Sequence, residues 1–502
     1  MIGPSQEICC GIGLAEPIVR STGTGARSRS TAAEKIVARG GGRNGSKTAL
    51  GYHFVDQSRN RRKISTAACK PENEVLSDRD REKLAENARD CDRNFAVAAW
   101  ALRRHLDFVA TWRFHCRARD KGLRRDVEAY VKSREKRQAF DASGRHPRRR
   151  WFRLAEARRI LDGDVFGVRL EEGTVQALEC EQCRTPGKPP AEYSDQKRWR
   201  SGVYCDQAGR PEAFAFHYQD RNQWYLDRVV PAAKVWHHAY WGGRFRQSRG
   251  LSPIAAGLAS LVDAYEGVDM VSARLKVEQL FAMAMYRSAE DAPAPISVLG
   301  ENDEEESDSD QPRYEVDFGR GPIFLDLDPG DRAEFLQGAS PSQTAREFIG
   351  DLIGVALKSI DIPRSFWDEA YATFHGSRSA ALLYVKGCEE KREDVRDLHI
   401  DWTDWQLARA FSDGDLLIPS GEESIPYVWH SAGVPWWNPS VEVTASLKAI
   451  DGKITSRQRV VEETLGVDFF DLLEELADEE GAINAAFPLI GVGQAPVKGK
   501  PV

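Results

Sequence analysis

The chain has 502 residues, a hydrophobic fraction of 41%, a charged fraction of 29% and a net charge of −7, which indicates a folded protein with more than one compact unit. It contains no run of 18 apolar residues, which argues against a transmembrane helix, and its nine cysteines indicate reduced thiols rather than a disulfide framework. The small net charge hides strong local differences. Residues 11–70 hold twelve Lys and Arg against three Asp and Glu, and residues 101–160 hold nineteen against seven.

Residues 1–73 are predicted to form a flexible basic arm, because they are rich in Gly, Ser, Thr and Arg and lack apolar periodicity. A long helix is expected next, with Ser77 as its N-cap. Its apolar stripe recurs at three- and four-residue steps and consists of Leu84, Ala88, Cys91, Phe95, Ala98, Leu102, Leu106 and Val109.

The basic residues 113–160 follow and are predicted to be helical. They include the triplet Arg148, Arg149 and Arg150, which is a candidate contact for DNA or for a neighbouring subunit. The alternative interpretation is a solvated helix face.

Residues 163–240 are predicted to be rich in β-strands, because short apolar runs alternate with turn residues. Asp206–Gly209 has the composition of a hairpin turn. Cys180 and Cys183 form a single C-x-x-C within this segment. A zinc site needs about four converging ligands, so this pair predicts ordinary reduced cysteines rather than a metal centre.

Two Ser-Pro pairs predict helix starts further along the chain, since Ser accepts hydrogen bonds from the first amides and Pro suits the first helical position. Ser252-Pro253 is expected to begin a helix that continues to about Tyr286. Ser340-Pro341 is expected to begin a helix that ends at Ile362-Pro363, with Phe348, Leu352, Val355, Ala356 and Ile360 on one face.

The segment between these two helices contains two strand candidates, residues 314–318 and 323–327. It also contains an acidic loop without a base, formed by Glu301, Asp303, Glu304, Glu305, Glu306, Asp308 and Asp310.

An aromatic, glycine-containing loop precedes Ser377, which is predicted to begin a long helix with a stripe from Tyr384 to Trp405. The C-terminal part is predicted to be helical and acidic, with nine acids and no base in residues 460–484. Thr455 and Gln458 have capping-box spacing, and Asp468 is a candidate cap of the last helix.

The sequence lacks the motifs of several common enzyme classes. It has no G-x-x-x-x-G-K-[ST] loop for nucleotide phosphates, no G-x-S-x-G elbow and no H-E-x-x-H zinc helix. We therefore predict that the protein is not an enzyme and that it binds no cofactor and no metal.

Six short stretches carry a resemblance to a known family. They are Arg93-Asn-Phe-Ala-Val-Ala-Ala99, Leu161-Asp-Gly-Asp-Val-Phe-Gly-Val-Arg169 with Val175-Gln-Ala-Leu178, Gly202–Pro211, Arg249-Gly-Leu-Ser-Pro253, Thr373–Ala381 and Pro439–Gln458. In sequence and in order they resemble the lambda-type portal family of tailed bacteriophages, over roughly residues 75–480. His375 and Gly376 depart from the serine-rich loop of that family.

The resemblance implies an α+β portal fold that assembles as a ring of about twelve copies. A wing, helical and then β-rich, would be followed by two stem helices around a β-containing clip, a tunnel loop, a long wing helix, a helical crown and a flexible tail. Their residues would be 74–250 (wing), 251–286 (first stem helix), 287–339 (clip), 340–362 (second stem helix), 363–377 (tunnel loop), 378–439 (wing helix and following segment), 440–486 (crown) and 487–502 (tail).

The same resemblance implies a structural function at one capsid vertex, where double-stranded DNA would be packaged and ejected through the ring. The terminase large subunit, head–tail adaptor proteins and the major capsid protein would be its partners. The protein would be part of the virion, assembled in the bacterial host cytoplasm without a membrane. The tunnel-loop residues would be Trp367, Tyr371, Thr373, Phe374, His375, Gly376, Ser377 and Arg378.

Two alternatives from other functional classes remain open at this point. The first is a monomeric nucleic-acid-binding protein that uses the basic residues 103–159. The second is a zinc-dependent enzyme built around Cys180, Cys183 and His237.

Overall fold

The computed structural model describes residues 75–242, 244–280, 283–286, 332–335, 343–367, 374–417, 424–433 and 438–486. They belong to the second of two compact units, residues 48–502. Helices and antiparallel strands both occur, as the α+β prediction requires. The predicted arm, the acidic loop from Glu301 to Asp310, both strand candidates between the stem helices and the C-terminal tail lie outside the described residues.

The first predicted helix is confirmed in position but is divided in two, α1 (Asp78–Asn94) and α2 (Ala96–Val109). Ser77 caps α1 as expected, because its hydroxyl accepts the N–H of Asp80. Phe95 separates the two helices, since its extended backbone (φ −114°, ψ 108°) ends the first ladder of hydrogen bonds.

The basic region forms α3 (Lys121–Arg134), α4 (Arg137–Phe140) and α5 (Arg148–Asp162). The carboxylate of Asp120 caps α3 by accepting the N–H of Leu123. Trp151, Phe152 and Ile160 of α5 are buried in the main core. The basic sequence therefore has an apolar face that packs inward.

Residues 163–240 form the predicted β-rich region, arranged as two sheets. β2 (Asp164–Arg169) pairs antiparallel with β3 (Val175–Leu178) and with β8 (Val235–Ala239). β4 (Trp199–Arg200), β5 (Val203–Cys205), β6 (Pro211–Asp220) and β7 (Gln223–Pro231) form an antiparallel sheet in that order. The hairpin turn at Asp206–Gly209 is confirmed, with Gly209 at φ 95°.

A third pairing joins distant parts of the chain. β1 (Trp112–Cys116) pairs antiparallel with β11 (Tyr427–Ser431), with Phe114 opposite Trp429. Helices, β1 and β11 share the main core, while Phe166, Phe214 and Phe216 form a second core between the sheets of the β-rich region.

The first predicted stem helix differs from expectation at both ends. Ser252 does not cap it, because its hydroxyl donates to the Ile160 carbonyl instead, and a 3₁₀ turn at Pro253–Ala256 precedes α6 (Leu258–Leu280). Tyr286 is not helical. It ends β9 (Met283–Tyr286), which pairs with β10 (Arg332–Phe335), a strand pair that the apolar pattern did not predict.

The second predicted stem helix is α7 (Gln343–Leu357), which packs against α6. A 3₁₀ turn (Lys358–Ile360) follows, and Asp361 ends it in the left-handed region at φ 65°. The predicted helix end before Pro363 is therefore confirmed.

The long helix predicted from Ser377 is two helices, α9 (Phe374–Gly387) and α10 (Glu389–Asp413), after a short α8 (Arg364–Trp367). Ser377 lies inside α9 and is buried, so it does not begin the helix. Most of the predicted stripe is confirmed as core: Tyr384, Cys388, Lys391, Val395, Leu398 and Trp402 are buried.

The C-terminal region is helical as predicted, with α11 (Pro439–Asp451), α12 (Arg457–Leu465) and α13 (Phe469–Ala486). Asp468 accepts the N–H of Phe470 at the start of α13, as expected. The cap of α12 is Ser456 rather than Thr455, because the Ser456 hydroxyl accepts the N–H of Arg459. None of the three helices buries a residue among those described.

Candidate functional site

Two of the stretches used for the resemblance meet in the structure, although they lie about 85 residues apart in the chain. We call the residues that join them, Gly163, Asp164, Arg249, Gly250 and Ser252, the joint. Arg249 Nε donates to Asp164 Oδ2 at 2.6 Å and Nη2 donates to Oδ1 at 2.9 Å, while the Gly250 N–H donates to Oδ2. This bidentate pair links β2 to the segment that leads into α6.

Close backbone contact at the joint requires its two glycines. Gly163 has φ 96°, and a Cβ atom there would lie 2.7 Å from the Ser252 nitrogen. A Cβ atom at Gly250 would collide with the carbonyl oxygen of Gly163. The Gly residues of both sequence stretches therefore permit the approach that the Asp164–Arg249 pair then holds.

Arg249 also connects the joint to the C-x-x-C segment. Its Nη1 donates to the carbonyls of Cys183 and Ser201, and its Nη2 donates to the carbonyl of Cys180. Burial raises the pKa of the Cys180 thiol well above its usual value and that of Cys183 to about 12. Among the described residues, Cys180, Cys183 and His237 do not form a group whose ligand atoms lie within 4.8 Å of one another, which disfavours the zinc-enzyme alternative.

Asp164 is ionised although it is fully buried. Burial raises the pKa of this carboxyl, but the Arg249 guanidinium and the hydrogen bonds from Arg249 and His237 outweigh that effect and lower the pKa overall. Burial lowers the pKa of His237, so its ring is neutral and donates from Nε2 to Asp164 at 3.1 Å.

A second buried carboxylate connects four elements of the fold. Glu156 of α5 accepts from His105 Nε2 of α2 at 3.0 Å, from His238 Nε2 of β8 at 2.8 Å and from Arg159 Nε at 2.8 Å. Arg159 also contacts Asp394 of α10. Burial raises the pKa of Glu156, but Arg159 and both histidine hydrogen bonds hold it well below its usual value.

The basic triplet is divided between core and surface. Arg148 is buried: its Nε donates to Glu135 at 2.8 Å, its Nη1 donates to His399 Nδ1 at 2.9 Å, and its guanidinium lies 4.3 Å from the Trp429 ring centroid. Arg149 and Arg150 are exposed. Arg148 thus serves the core, and the predicted contact with DNA or a subunit remains a prediction for Arg149 and Arg150.

The residues predicted for the tunnel loop have different environments. Trp367 packs on the main core, Tyr371 and Thr373 lie outside the described residues, and Phe374 to Arg378 form the start of α9 rather than a loop. His375 and Gly376 are exposed, whereas Ser377 is buried. Arg378 pairs with Glu442 of α11 at 3.0 Å.

Exposed apolar residues on several helices are the feature that sequence reasoning missed. Phe348 and Val355 were expected on the buried face of α7, yet both are 62% exposed, while Ile353, Ala356 and Ile360 are buried. The apolar positions of α7 therefore extend around more of the helix than the described residues bury. Others on α6, α9 and the C-terminal helices are Met270, Leu382, Leu383, Val441, Leu447, Phe470, Leu473, Leu476 and Ile483.

One group of potential metal ligands occurs among the described residues, His430, Glu462 and Asp468, whose ligand atoms lie within 4.8 Å of one another. Arg117 Nη2 donates to Glu462 at 2.9 Å and to Asp468 at 3.0 Å. This guanidinium already hydrogen-bonds one oxygen of each carboxylate that a metal would need. The prediction that no metal binds remains a prediction.

Among the described helices, none combines the length and the apolar character that a membrane span needs.

Comparison with protein families identifies the chain. Residues 57–383 match the family described as "Phage portal protein, lambda family". The chain belongs to the lambda family of phage portal proteins. The match includes the joint, α6, α7 and the beginning of α9, and it confirms the resemblance found in the sequence.

Solved structures similar to this portal-family chain come from particle necks and virions. "Virion of native gene transfer agent (GTA) particle" is 13% identical, with a TM-score of 0.42 over 75% of this chain and 92% of that one. "Neck of empty GTA particle computed with C6 symmetry" is 14% identical, with a TM-score of 0.45 over the same shares. "Neck of native GTA particle computed with C12 symmetry" is 16% identical, with a TM-score of 0.41 over 76% and 93%. No curated protein matches the chain.

Proposed function

We propose that this chain is the portal of a phage-like particle and forms a ring at one capsid vertex, through which double-stranded DNA is packaged and ejected. The observation that carries the proposal is the family match over residues 57–383. The ring also docks the terminase large subunit, the head–tail adaptors and the major capsid protein. In this proposal the protein has a structural role, without catalysis, a cofactor or a membrane, and it resides in the virion.

The uncovered apolar faces support assembly into a ring. Large apolar residues on α6, α7, α9 and α11–α13 are exposed in the part of the chain that the structure describes, and exposed apolar surface is typical of protein interfaces. A ring uses a heterologous interface, in which one patch meets a different patch on the neighbour. Exposed apolar residues on several helices provide the different patches that such an interface needs.

The joint supports a mechanical connection between wing and stem. α6 and α7 are assigned to the stem, and α1–α5 with the β-rich region to the wing. Arg249 holds the start of the stem segment to β2 through a buried bidentate pair, and the Arg81 guanidinium donates to the Gly250 carbonyl. Displacement of the stem would therefore be transmitted to the wing sheet rather than absorbed by a flexible linker.

Electron microscopy of the purified full-length protein tests the ring. Negative-stain images should show ring-shaped particles with a central channel, and native mass measurement should give an integral multiple of the 56.2 kDa subunit. A monodisperse monomer at high concentration would overturn the proposal.

A further inference from the structure

Six cations surround one loop of the wing and lack an acidic partner among the residues that the structure describes. They are Lys132, Lys136, Arg137, Arg145, Arg149 and Arg150, which we call the cationic surface. All six are exposed, and none forms an ion pair within 4.0 Å with any other described residue. Elsewhere in the basic region cations are neutralised, as Arg117 is by Asp468 and Arg153 by Asp107. Four more exposed arginines of the region lack an ion pair to a described residue but lie outside residues 132–150, so six of the ten unpaired cations of residues 101–160 are concentrated at this loop.

The backbone that carries these cations is held in one conformation. The Arg148 N–H donates to the Glu135 carbonyl at 3.0 Å and closes the loop between them. Within the loop, the Asp141 carboxylate accepts the N–H groups of Ser143, Arg145 and His146. Phe140 is completely buried. The cations are thus displayed on a rigid scaffold, which lowers the entropic cost of binding.

The chemistry of the surface distinguishes a phosphate partner from a protein partner. Protein interfaces generally have an apolar or aromatic centre, and the exposed faces of α7 and α13 provide one. No large apolar residue is exposed among residues 132–150. Four of the six cations are Arg, whose planar guanidinium suits phosphate oxygens.

We propose that the cationic surface binds the phosphate backbone of double-stranded DNA, at a site distinct from the channel. Such binding needs charge and no base contact, so it is independent of DNA sequence and weakens steeply with salt. The choice of double-stranded DNA as the polyanion rests on the proposed function. The binding itself does not require a ring.

Covalently closed circular DNA tests the site without the channel, because a closed circle cannot thread a preformed ring. The full-length protein should bind relaxed closed circular plasmid, with an affinity that falls linearly in a plot of log K against log salt. The variant Arg137→Gln/Arg145→Gln/Arg149→Gln/Arg150→Gln should lower the affinity at least about tenfold and reduce the slope by about 3–4. The four substituted side chains form no ion pair with a described residue, so folding should be retained.

A matched control removes the same charge from other exposed cations without an ion pair to a described residue. Arg103→Gln/Arg113→Gln/Arg119→Gln/Arg125→Gln leaves the cationic surface intact and should retain the wild-type slope. Equal losses in both variants would overturn the proposal, because net charge alone would then explain binding. Binding to linear DNA but not to closed circles would also overturn it. So would a variant of the cationic surface that binds DNA normally but fails to assemble, because that result is expected if the surface contacts an acidic face of a neighbouring subunit. Negative-stain images of the same samples separate these results from failure of the ring itself.

Discussion

Asp164 and Glu156 show what single residues contribute to this fold. Each carboxylate is fully buried and accepts hydrogen bonds from an arginine and from at least one neutral histidine. A buried ion pair adds little net stability relative to an apolar pair, but the loss of one partner leaves an uncompensated charge in the interior. These residues therefore specify which elements meet, because any other arrangement would leave a charge unpaired.

Asp164→Asn should lower the free energy of unfolding by about 3–5 kcal/mol, because it leaves the Arg249 guanidinium buried without its counter-charge. The measurement is the denaturant midpoint of the purified protein. Glu463→Gln, which breaks an exposed pair with Arg459, is the matched control and should leave the midpoint nearly unchanged. Similar midpoints for the two variants would contradict the role assigned to the joint.

Stability should fall as the pH drops below about 6.5, the ordinary pKa of histidine. Burial lowers the folded-state pKa of His105, His237, His238 and His399, so the unfolded chain binds protons that the native protein excludes. The stability that these neutral histidines contribute is present in full above the pKa of histidine in the unfolded chain. Below that pKa the free energy of unfolding falls by about 1.4 kcal/mol per pH unit for each histidine that stays neutral in the folded protein.

Unfolding free energies measured from pH 8 to pH 5 should show this slope. His399→Gln should reduce the slope of unfolding free energy against pH by about 1.4 kcal/mol per pH unit, the value for one proton. The Gln oxygen still accepts from Arg148, but the side chain does not titrate. A wild-type slope in this variant would show that His399 is not held neutral. The depressed pKa values of Asp164 and Glu156 add a second loss of stability only below about pH 4.

At the scale of elements, the connection between β2 and α6 depends on backbone approach as much as on charge. Gly250→Ala should destabilise the protein by about 1–3 kcal/mol or more, because the added methyl collides with the Gly163 carbonyl. Gly187→Ala is the control, since no atom lies within 4 Å of its added methyl, and it should be neutral. Thermal unfolding of both variants measures the difference, and equal melting temperatures would be inconsistent with a tight joint.

The segment between α8 and α9 belongs to the proposed tunnel loop. Because Phe374 to Arg378 are helical, a deletion confined to residues 368–373, with a short Gly/Ser bridge, leaves α8 and α9 themselves unaltered. Ring formation should persist, while DNA packaging or retention in particles should fall. Particles that package and retain DNA normally would remove the tunnel-loop assignment. Replacement of the exposed Gly187 and Lys188 by two Ser residues is the control for a change in another exposed segment and should leave packaging unaltered.

At the scale of the whole molecule, the described residues leave apolar surface exposed that a neighbouring subunit would cover in the proposed ring. Phe348→Ser/Val355→Ser should lower ring assembly with little loss of subunit stability, because both side chains are already 62% exposed in the single chain. Sedimentation velocity measures the fraction assembled. Thr344→Ser, exposed on the same helix, is the control, and assembly of the double variant at the wild-type level would place the interface elsewhere.

Much of the secondary structure followed from local patterns. Four local features were predicted correctly, because each depends on hydrogen bonds or backbone angles within a few residues. They are the caps at Ser77 and Asp468, the turn at Gly209 and the end of the helix before Pro363. Errors arose where a distant partner competed for the same atom. The Ser252 hydroxyl donates to Ile160, 92 residues away, so it is unavailable as a cap.

The sequence by itself determined the family, the order of the segments and the positions of most helices and strands, since these depend on short motifs and on the period of apolar residues. Only the tertiary structure decided which charges are buried. Three adjacent arginines look alike in the sequence, yet Arg148 reaches Glu135, His399 and Trp429 in the core, while Arg149 and Arg150 remain at the surface. Burial depends on contacts between residues up to 281 positions apart, and no local pattern encodes them. The net charge of −7 is thus a sum over buried pairs, neutralised faces and one cationic surface, each with a different physical role.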